Sequence, residues 1–321
     1  MREVIFTVRE DEAGVRLDTY LRQKLRGPSR CRIQRMIREQ LRPLGTGRLK
    51  PASIVRSGLR FAVAQESPLE DPLPEIPVVH EDEAILVLEK PANLAVHPAG
   101  RHHLHTLTAA LAARTGARAH PAHRLDRETS GLIACGIGAW SRDLKRAFAL
   151  GEVQKGYLAI VEGWPKNETF AIDLPLEIGA GRVRVRMAVG TGKPSCTEFQ
   201  VLNRYRNSAG ERFSLLRCSP RTGRQHQIRA HLGAAGFPVV GDKIYGPDET
   251  IFIRFTEGAL TETDRRRLRL TRHALHAAEL AFRHPLHGSV VTFQSGLPPD
   301  LSAFLQGLGD GFGEGFGAPL T

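Results

Sequence analysis

"HPAHRLDRETSGLIACG", residues 120–136, sets histidine, arginine, aspartate, glutamate, threonine and serine directly ahead of an apolar run. The run, continued as "GLIACGIG" (131–138), has the length and composition of a buried strand. The charged half is then the turn that feeds it. Two readings of Asp126 are open at this point. Its carboxylate caps the turn or pairs with Arg124, or it does chemistry. The rest of the chain has to decide.

Outward from this stretch, short apolar runs alternate with helical ones. "AILVLEKP" (84–91) reads as a strand stopped by Pro91. "SRDLKRAFALGE" (141–152) suits a helix with Leu144, Ala147 and Phe148 facing inward. "KGYLAIVEG" (155–163) is strand-like, with Tyr157, Ala159 and Val161 on one face. "RVRVRM" (182–187) alternates strictly and predicts a strand with one apolar and one cationic face. "ERFSLLRCSP" (211–220) predicts a strand that leads into "RTGRQHQIRAHLGAAG" (221–236), a turn and a helix ended by Gly236. Strands outnumber helices and their order is irregular. The expected class is α+β, a mixed and largely antiparallel sheet with flanking helices, rather than a doubly wound fold.

Upstream, "QESPLEDPLPEIP" (65–77) holds four prolines and four acids, which suits an extended linker, placed at 67–76. It separates a basic module, 1–66, from a large domain, 77–305. In the module, Leu17, Tyr20, Leu21 and Leu25 share one helical face, and Ile33, Met36 and Ile37 repeat the pattern behind Ser29, a candidate N-cap. Arg30, Arg32, Arg35 and Arg38 form a cationic stripe whose helix carries a single acid, Glu39, so it lacks the mixed signs of a merely solvated face. The Gly-rich end, 306–321, is expected to be a flexible tail.

The charge balance points the same way: 45 Lys and Arg oppose 34 Asp and Glu, for a net charge of +11. Arginine dominates, and its planar fork suits phosphate. Cys31, Cys135, Cys196 and Cys218 lie too far apart in sequence for a disulfide framework or a zinc motif. "HPAGRHHLH" (97–105) offers histidines without a carboxylate or cysteine at ligand spacing, so no metal is expected. "GTGKPS" lacks the spacing of a phosphate-cradling P-loop, and "TSGL" is not a nucleophile elbow. The charged start has no signal-peptide core and no stretch approaches 18 apolar residues. A cytoplasmic protein with no membrane association is expected.

The ten residues "HRLDRETSGL" (123–132) resemble the active-site signature of the RluA-type family of RNA pseudouridine synthases. "KGYLAIVEG", "GKPSCTEF" (192–199), "GRQHQIR" (223–229), "GFPVVGDKIYG" (236–246) and "RHALHAAEL" (272–280) fit the same family in the same order. The departures are Gln225, where the family has Thr or Ser, and the residues just before His123. The resemblance implies that Asp126 is the catalytic carboxylate, Arg229 its counter-charge, and Tyr157 the platform for the flipped base and a candidate for proton transfer. It places Arg124 beside the base, with Arg224 and His226 in phosphate contact or packing beneath the site. Converting uridine to pseudouridine breaks the bond from sugar to N1, rotates the base and rejoins it through C5. No redox change or net water is involved, so no cofactor is implied, and a carboxylate can both add and leave. Residues 14–65 are similar to the S-four-type RNA-binding domain, although "LRPLGTGRLKP" replaces the usual turn after the second helix. Family members with this arrangement mostly act on large-subunit ribosomal RNA, which is the expected partner of a monomeric enzyme. Transfer RNA, a non-catalytic RNA-binding or assembly factor, and a hydrolytic N-glycosidase are the alternatives.

Overall fold

The computed structural model describes residues 2–25, 30–65, 73–98, 105–246 and 248–309. The chain forms two compact units, Met1–Leu73 and Pro74–Thr321. The first holds β1 (Arg2–Thr7), α1 (Leu17–Leu25), α2 (Arg30–Glu39), β2 (Leu41–Pro43) and β3 (Arg60–Gln65), with an antiparallel sheet ordered β1-β3-β2. The predicted faces do meet. Leu17, Tyr20 and Leu21 of α1 and Ile33 and Ile37 of α2 are buried with Phe61 and Val63 of β3. Asp18, almost fully buried, accepts two bonds from Arg16 (3.0 and 2.9 Å) and one from Gln34 (3.1 Å). Ser29 lies outside the described residues, as does most of the proposed linker.

The second unit begins with β4 (Val78–Glu81), β5 (Ile85–Lys90), α3 (Leu107–Thr115), β6 (Ala119–Pro121), β7 (Ser130–Ile137) and α4 (Trp140–Leu150). It continues through β8 (Gln154–Glu162), β9 (Thr169–Asp173), β10 (Leu176–Ile178), β11 (Met187–Val189), β12 (Cys196–Arg206) and β13 (Arg212–Pro220). Then come α5 (Gln227–Ala234), α6 (Thr250–Glu257), α7 (Glu262–Leu268), β14 (Leu275–Arg283), β15 (Val290–Gln294) and α8 (Pro299–Gly307). Ten of these strands form one sheet along β4-β5-β7-β14-β8-β13-β12-β9, with β15 on β14 and β6 on β7. Every pairing in it is antiparallel except β7 with β14, so the class is α+β, as expected.

That single parallel pairing places the site. At the start of β7, Gly131 lies opposite Ala277 with φ +108°, and a Cβ there would sit 2.2 Å from the Ala277 carbonyl oxygen. Only glycine allows both the conformation and the approach. The charged turn therefore enters at the centre of the sheet, beside β14 and β8.

Two expectations need correction. "RVRVRM" is not a strand: Val183–Arg186 closes a turn by the Arg186 N–H to Val183 C=O bond (2.9 Å), and only Met187 enters β11. Val183 and Met187 join a buried cluster with Ile244 and Tyr245, Val185 between them is exposed, and Arg186 lies over the Tyr245 ring and donates to the Ile244 carbonyl. The proposed tail begins too early, because Gln306 and Gly307 end α8; residues 310–321 lie outside the described residues.

Candidate active site

Asp126 sits in the turn between β6 and β7, and the fold holds that turn from several sides. Lys90, buried at the end of β5, donates to the carbonyls of Pro91 (2.8 Å), Leu94 (2.9 Å) and Arg127 (3.2 Å). Glu128 accepts from Lys243 at both oxygens (3.0 and 2.9 Å), from Arg127 (3.3 Å) and from the His273 backbone N–H (3.2 Å), and the Thr129 hydroxyl pairs with His273 Nε2 at 2.7 Å. Within the turn the Thr129 N–H bonds the Asp126 main-chain carbonyl (3.1 Å). The Asp126 carboxylate is thus left out of turn capping. It does not pair with Arg124 either: Oδ2 accepts from Arg229 Nη1 at 2.8 Å.

Arg229 comes from the first turn of α5 and is shared by two carboxylates. Its Nε and Nη2 bond Asp242 Oδ2 and Oδ1 at 2.6 and 2.8 Å, while Nη1 reaches Asp126. Asp242 is held in turn by the N–H groups of Ile244 (2.8 Å) and Tyr245 (3.0 Å). A buried guanidinium with both edges engaged has its orientation fixed. Burial works to raise the Asp126 carboxyl, but His226 and Arg229 overcome it and hold the group at about 2. Asp126 is accordingly ionised at neutral pH, and its side chain remains 20% exposed, enough to be reached.

His226 precedes α5 in a left-handed conformation, φ +55°, which turns its ring inward. Its Nδ1 lies 3.1 Å from Tyr245 Oη and its Nε2 3.8 Å from Asp126 Oδ1. Tyr245 Oη also accepts the Met187 N–H (2.8 Å), so the tyrosine ties the His226 ring to the start of β11. Burial draws the imidazole below its ordinary range, against the Asp126 charge, which works to raise it.

Tyr157 projects from β8 into the same cavity, about 350 Å³, which Asp126, Arg124, Arg224, His226 and Arg229 also line. Burial pushes its phenol well above the usual tyrosine range, and the neighbouring Asp126 charge adds to the shift. The cavity thus brings together residues from Ala122 to Leu275, 153 positions apart. Arg224 is exposed at its rim and donates to the Pro194 carbonyl (3.3 Å). Arg30, Arg35 and Arg38 lie exposed along α2 of the first unit; Arg30 is 3.6 Å from Asp18, and the side chain of Arg32 lies outside the described residues.

Sequence reasoning missed several groups. Asp242 lies inside "GFPVVGDKIYG" but gave no role there; Glu128 and Lys243 gave no signal because they are 115 residues apart, and Lys90 gave none because its partners are backbone carbonyls. Lys145 on α4 and Lys155 on β8 also line the cavity. Neither they nor Arg124 and Arg224 have an ion-pair partner among the described residues. Unneutralised cations around one ionised carboxylate suit a polyanionic substrate.

A cationic cavity around an ionised carboxylate on a mixed, largely antiparallel sheet is the candidate active site of an enzyme with a polyanionic substrate. Residues 84–234 match the family model described as RNA pseudouridylate synthase. The ribosomal large subunit pseudouridine synthase C of Haemophilus influenzae is 33% identical, covering 95% of this chain and 94% of its own length. Synthase D of Nitrosomonas europaea is 34% identical, covering 94% and 87%. Among solved structures, human RNA pseudouridylate synthase domain containing 1 superposes with a TM-score of 0.58 at 28% identity, covering 73% of this chain and 89% of that one. The chain belongs to the RNA pseudouridine synthase family and is an RNA-modifying isomerase.

Proposed function

We propose that the protein converts a uridine of large-subunit ribosomal RNA to pseudouridine, with Asp126 as the covalent nucleophile. The observation that carries the assignment is the Arg229–Asp126 contact, 2.8 Å, made by a guanidinium that Asp242 already locks. The pairing keeps the carboxylate ionised and aimed while its other oxygen faces the cavity. Asp126 adds to the nucleoside and the bond to N1 breaks with its electron pair on the base; the base turns, C5 bonds to the sugar carbon as Asp126 is expelled, and the proton lost from C5 is matched by one taken up at N1. Atoms and charge balance without cofactor or water.

The target base must leave its stack, at a cost of a few kcal/mol that an aromatic contact offsets in part. Tyr157 is assigned as that platform. Its raised phenol stays protonated at neutral pH, which favours stacking over service as a resting base. Arg124, Arg224, Lys145 and Lys155 hold the flanking phosphates, and the exposed arginines of α2 add contacts through an RNA-binding first unit. Synthases C and D match about equally well, which supports the RNA class and leaves the individual uridine open. The enzyme is assigned to the cytoplasm, as a monomer. Transfer RNA is the alternative substrate. The non-catalytic reading is disfavoured because Asp126, Tyr157 and Arg229 all reach one cavity.

Asp126→Asn tests the assignment: folding and RNA binding persist and pseudouridine formation on deproteinised ribosomal RNA falls below detection. Turnover within a few-fold of the unmodified enzyme would remove Asp126 as nucleophile. Mapping pseudouridine across cellular RNA with and without the protein identifies the uridine.

A further inference from the structure

Far from the cavity, the β12–β13 hairpin carries a like-charged pair that nothing in the catalytic site explains. Arg206 and Arg212 are directly opposite each other in the register. Like charges in that position destabilise a hairpin unless something compensates. Both are exposed, and neither has a carboxylate partner among the described residues. The acids nearby are taken. Glu168 pairs with Arg204, and Glu211 and Glu162 pair with Arg269.

The pair is also held in place. Both guanidiniums lie over the ring of Trp164, at 4.9 and 4.8 Å from its centroid. The indole is itself fixed, since its Nε1 donates to the carbonyls of Tyr205 (3.1 Å) and Phe213 (3.0 Å). The turn beneath is closed by Asn207, whose Oδ1 accepts from the N–H groups of Ala209 (3.1 Å) and Glu211 (2.9 Å). Stacking leaves the N–H edges of a guanidinium available while limiting its freedom, so less entropy is lost when an anion docks.

We propose that Arg206 and Arg212 form a second RNA-phosphate contact, which anchors a large substrate remote from the target uridine. The proposal rests on RNA being the substrate. Strand β13 runs from Arg212 to Pro220, a cavity-lining residue, so the two sites are about 26 Å apart along the strand at roughly 3.3 Å per residue. A substrate must extend well beyond the reacting nucleotide to touch both.

The test compares the full-length enzyme with Arg206→Gln/Arg212→Gln and with Arg206→Lys/Arg212→Lys on deproteinised large-subunit ribosomal RNA. For the Gln variant, the slope of log affinity against log salt falls by about 1.5, and affinity near physiological salt drops on the order of tenfold. KM rises in step while kcat is retained. The Lys variant restores slope and KM, because the charge remains. An unchanged salt slope in the Gln variant overturns the proposal and leaves the patch to an acidic protein partner. So does a lowered melting temperature that the Lys variant shares without recovery of the slope, because the arginines then serve only to pack Trp164. If the unmodified enzyme forms no pseudouridine on this RNA, the substrate assignment fails while the salt slopes still decide the contact.

Discussion

At the scale of single residues, Asp126, the proposed nucleophile, depends on a second carboxylate. Asp242 is fully buried and its oxygens are filled by Arg229 and two backbone N–H groups, so burial alone would raise it, and Arg229 instead holds it well below the usual aspartate range. Asp242→Asn leaves the guanidinium with one anionic partner and turns an amide N–H toward it. Removing one member of a buried ion pair costs about 3–5 kcal/mol. We expect a loss of that order in denaturant unfolding at pH 7 and a fall in kcat larger than any rise in KM. The pH dependence follows from sign. Asp242 and Asp126 both titrate below their unfolded values, so their stabilisation is complete above about pH 4 and is lost as pH falls through the folded values, near 2 for Asp126. Stability of the Asn variant should therefore change less between pH 4 and 2 than that of the unmodified protein; parallel curves would contradict the role given to Asp242. That Asp126, Tyr157 and Arg229 line one cavity could be anticipated because each lies inside a dense local motif. The Glu128–Lys243 pair was not, because its members are 115 residues apart and meet only through tertiary burial.

At the scale of elements, β7 both builds the sheet and delivers the turn. Gly131 and Gly138, near its two ends, each have positive φ, +108° and +53°. They differ in surroundings: a Cβ on Gly131 meets the Ala277 carbonyl at 2.2 Å, whereas nothing lies within 4 Å of one on Gly138. Gly138→Ala should cost about 1–2 kcal/mol, the penalty of a left-handed alanine. Gly131→Ala adds a backbone clash, and we expect about 3 kcal/mol or more together with lost activity, because the parallel pairing that positions Asp126 must open. Thermal unfolding of the two variants separates the effects; equal shifts would mean that conformation rather than the approach to β14 sets the cost. The motif glycine was visible in sequence, but its reason was not, since β14 lies about 146 residues away in the chain. "RVRVRM" failed in the opposite way. Its period-two alternation is not a burial pattern, because Val183 and Met187 pack against Ile244 and Tyr245 while Val185 between them is exposed at the turn.

For the whole molecule, a net charge of +11 says little until its location is known. Many surface arginines are neutralised by a nearby acid, as Arg42 is by Glu3, Arg114 by Glu81 and Arg221 by Glu198. Among the described residues, those without an acidic partner include Arg124 and Arg224 at the cavity, Arg206 and Arg212 at the β12–β13 tip and Arg35 and Arg38 on α2, and also Arg56, Arg118, Arg146 and Arg184 elsewhere. On α2, Arg35 and Arg38 have no acidic partner among the described residues, and Arg30 reaches Asp18 only at 3.6 Å, beyond Arg16, which already satisfies it. Replacing Arg30, Arg35 and Arg38 by Gln keeps the apolar face of α2, formed by Ile33, Met36 and Ile37, so the first unit should stay folded. If the stripe contacts phosphates, each lost contact removes about 0.7–0.9 from the slope of log affinity against log salt, or about 2 to 3 for all three. At saturating RNA kcat should be unchanged, because none of these residues lines the catalytic cavity. A variant that binds large-subunit ribosomal RNA with the original slope would show α2 to be a solvated face, and the first unit's role would then have to rest on another surface.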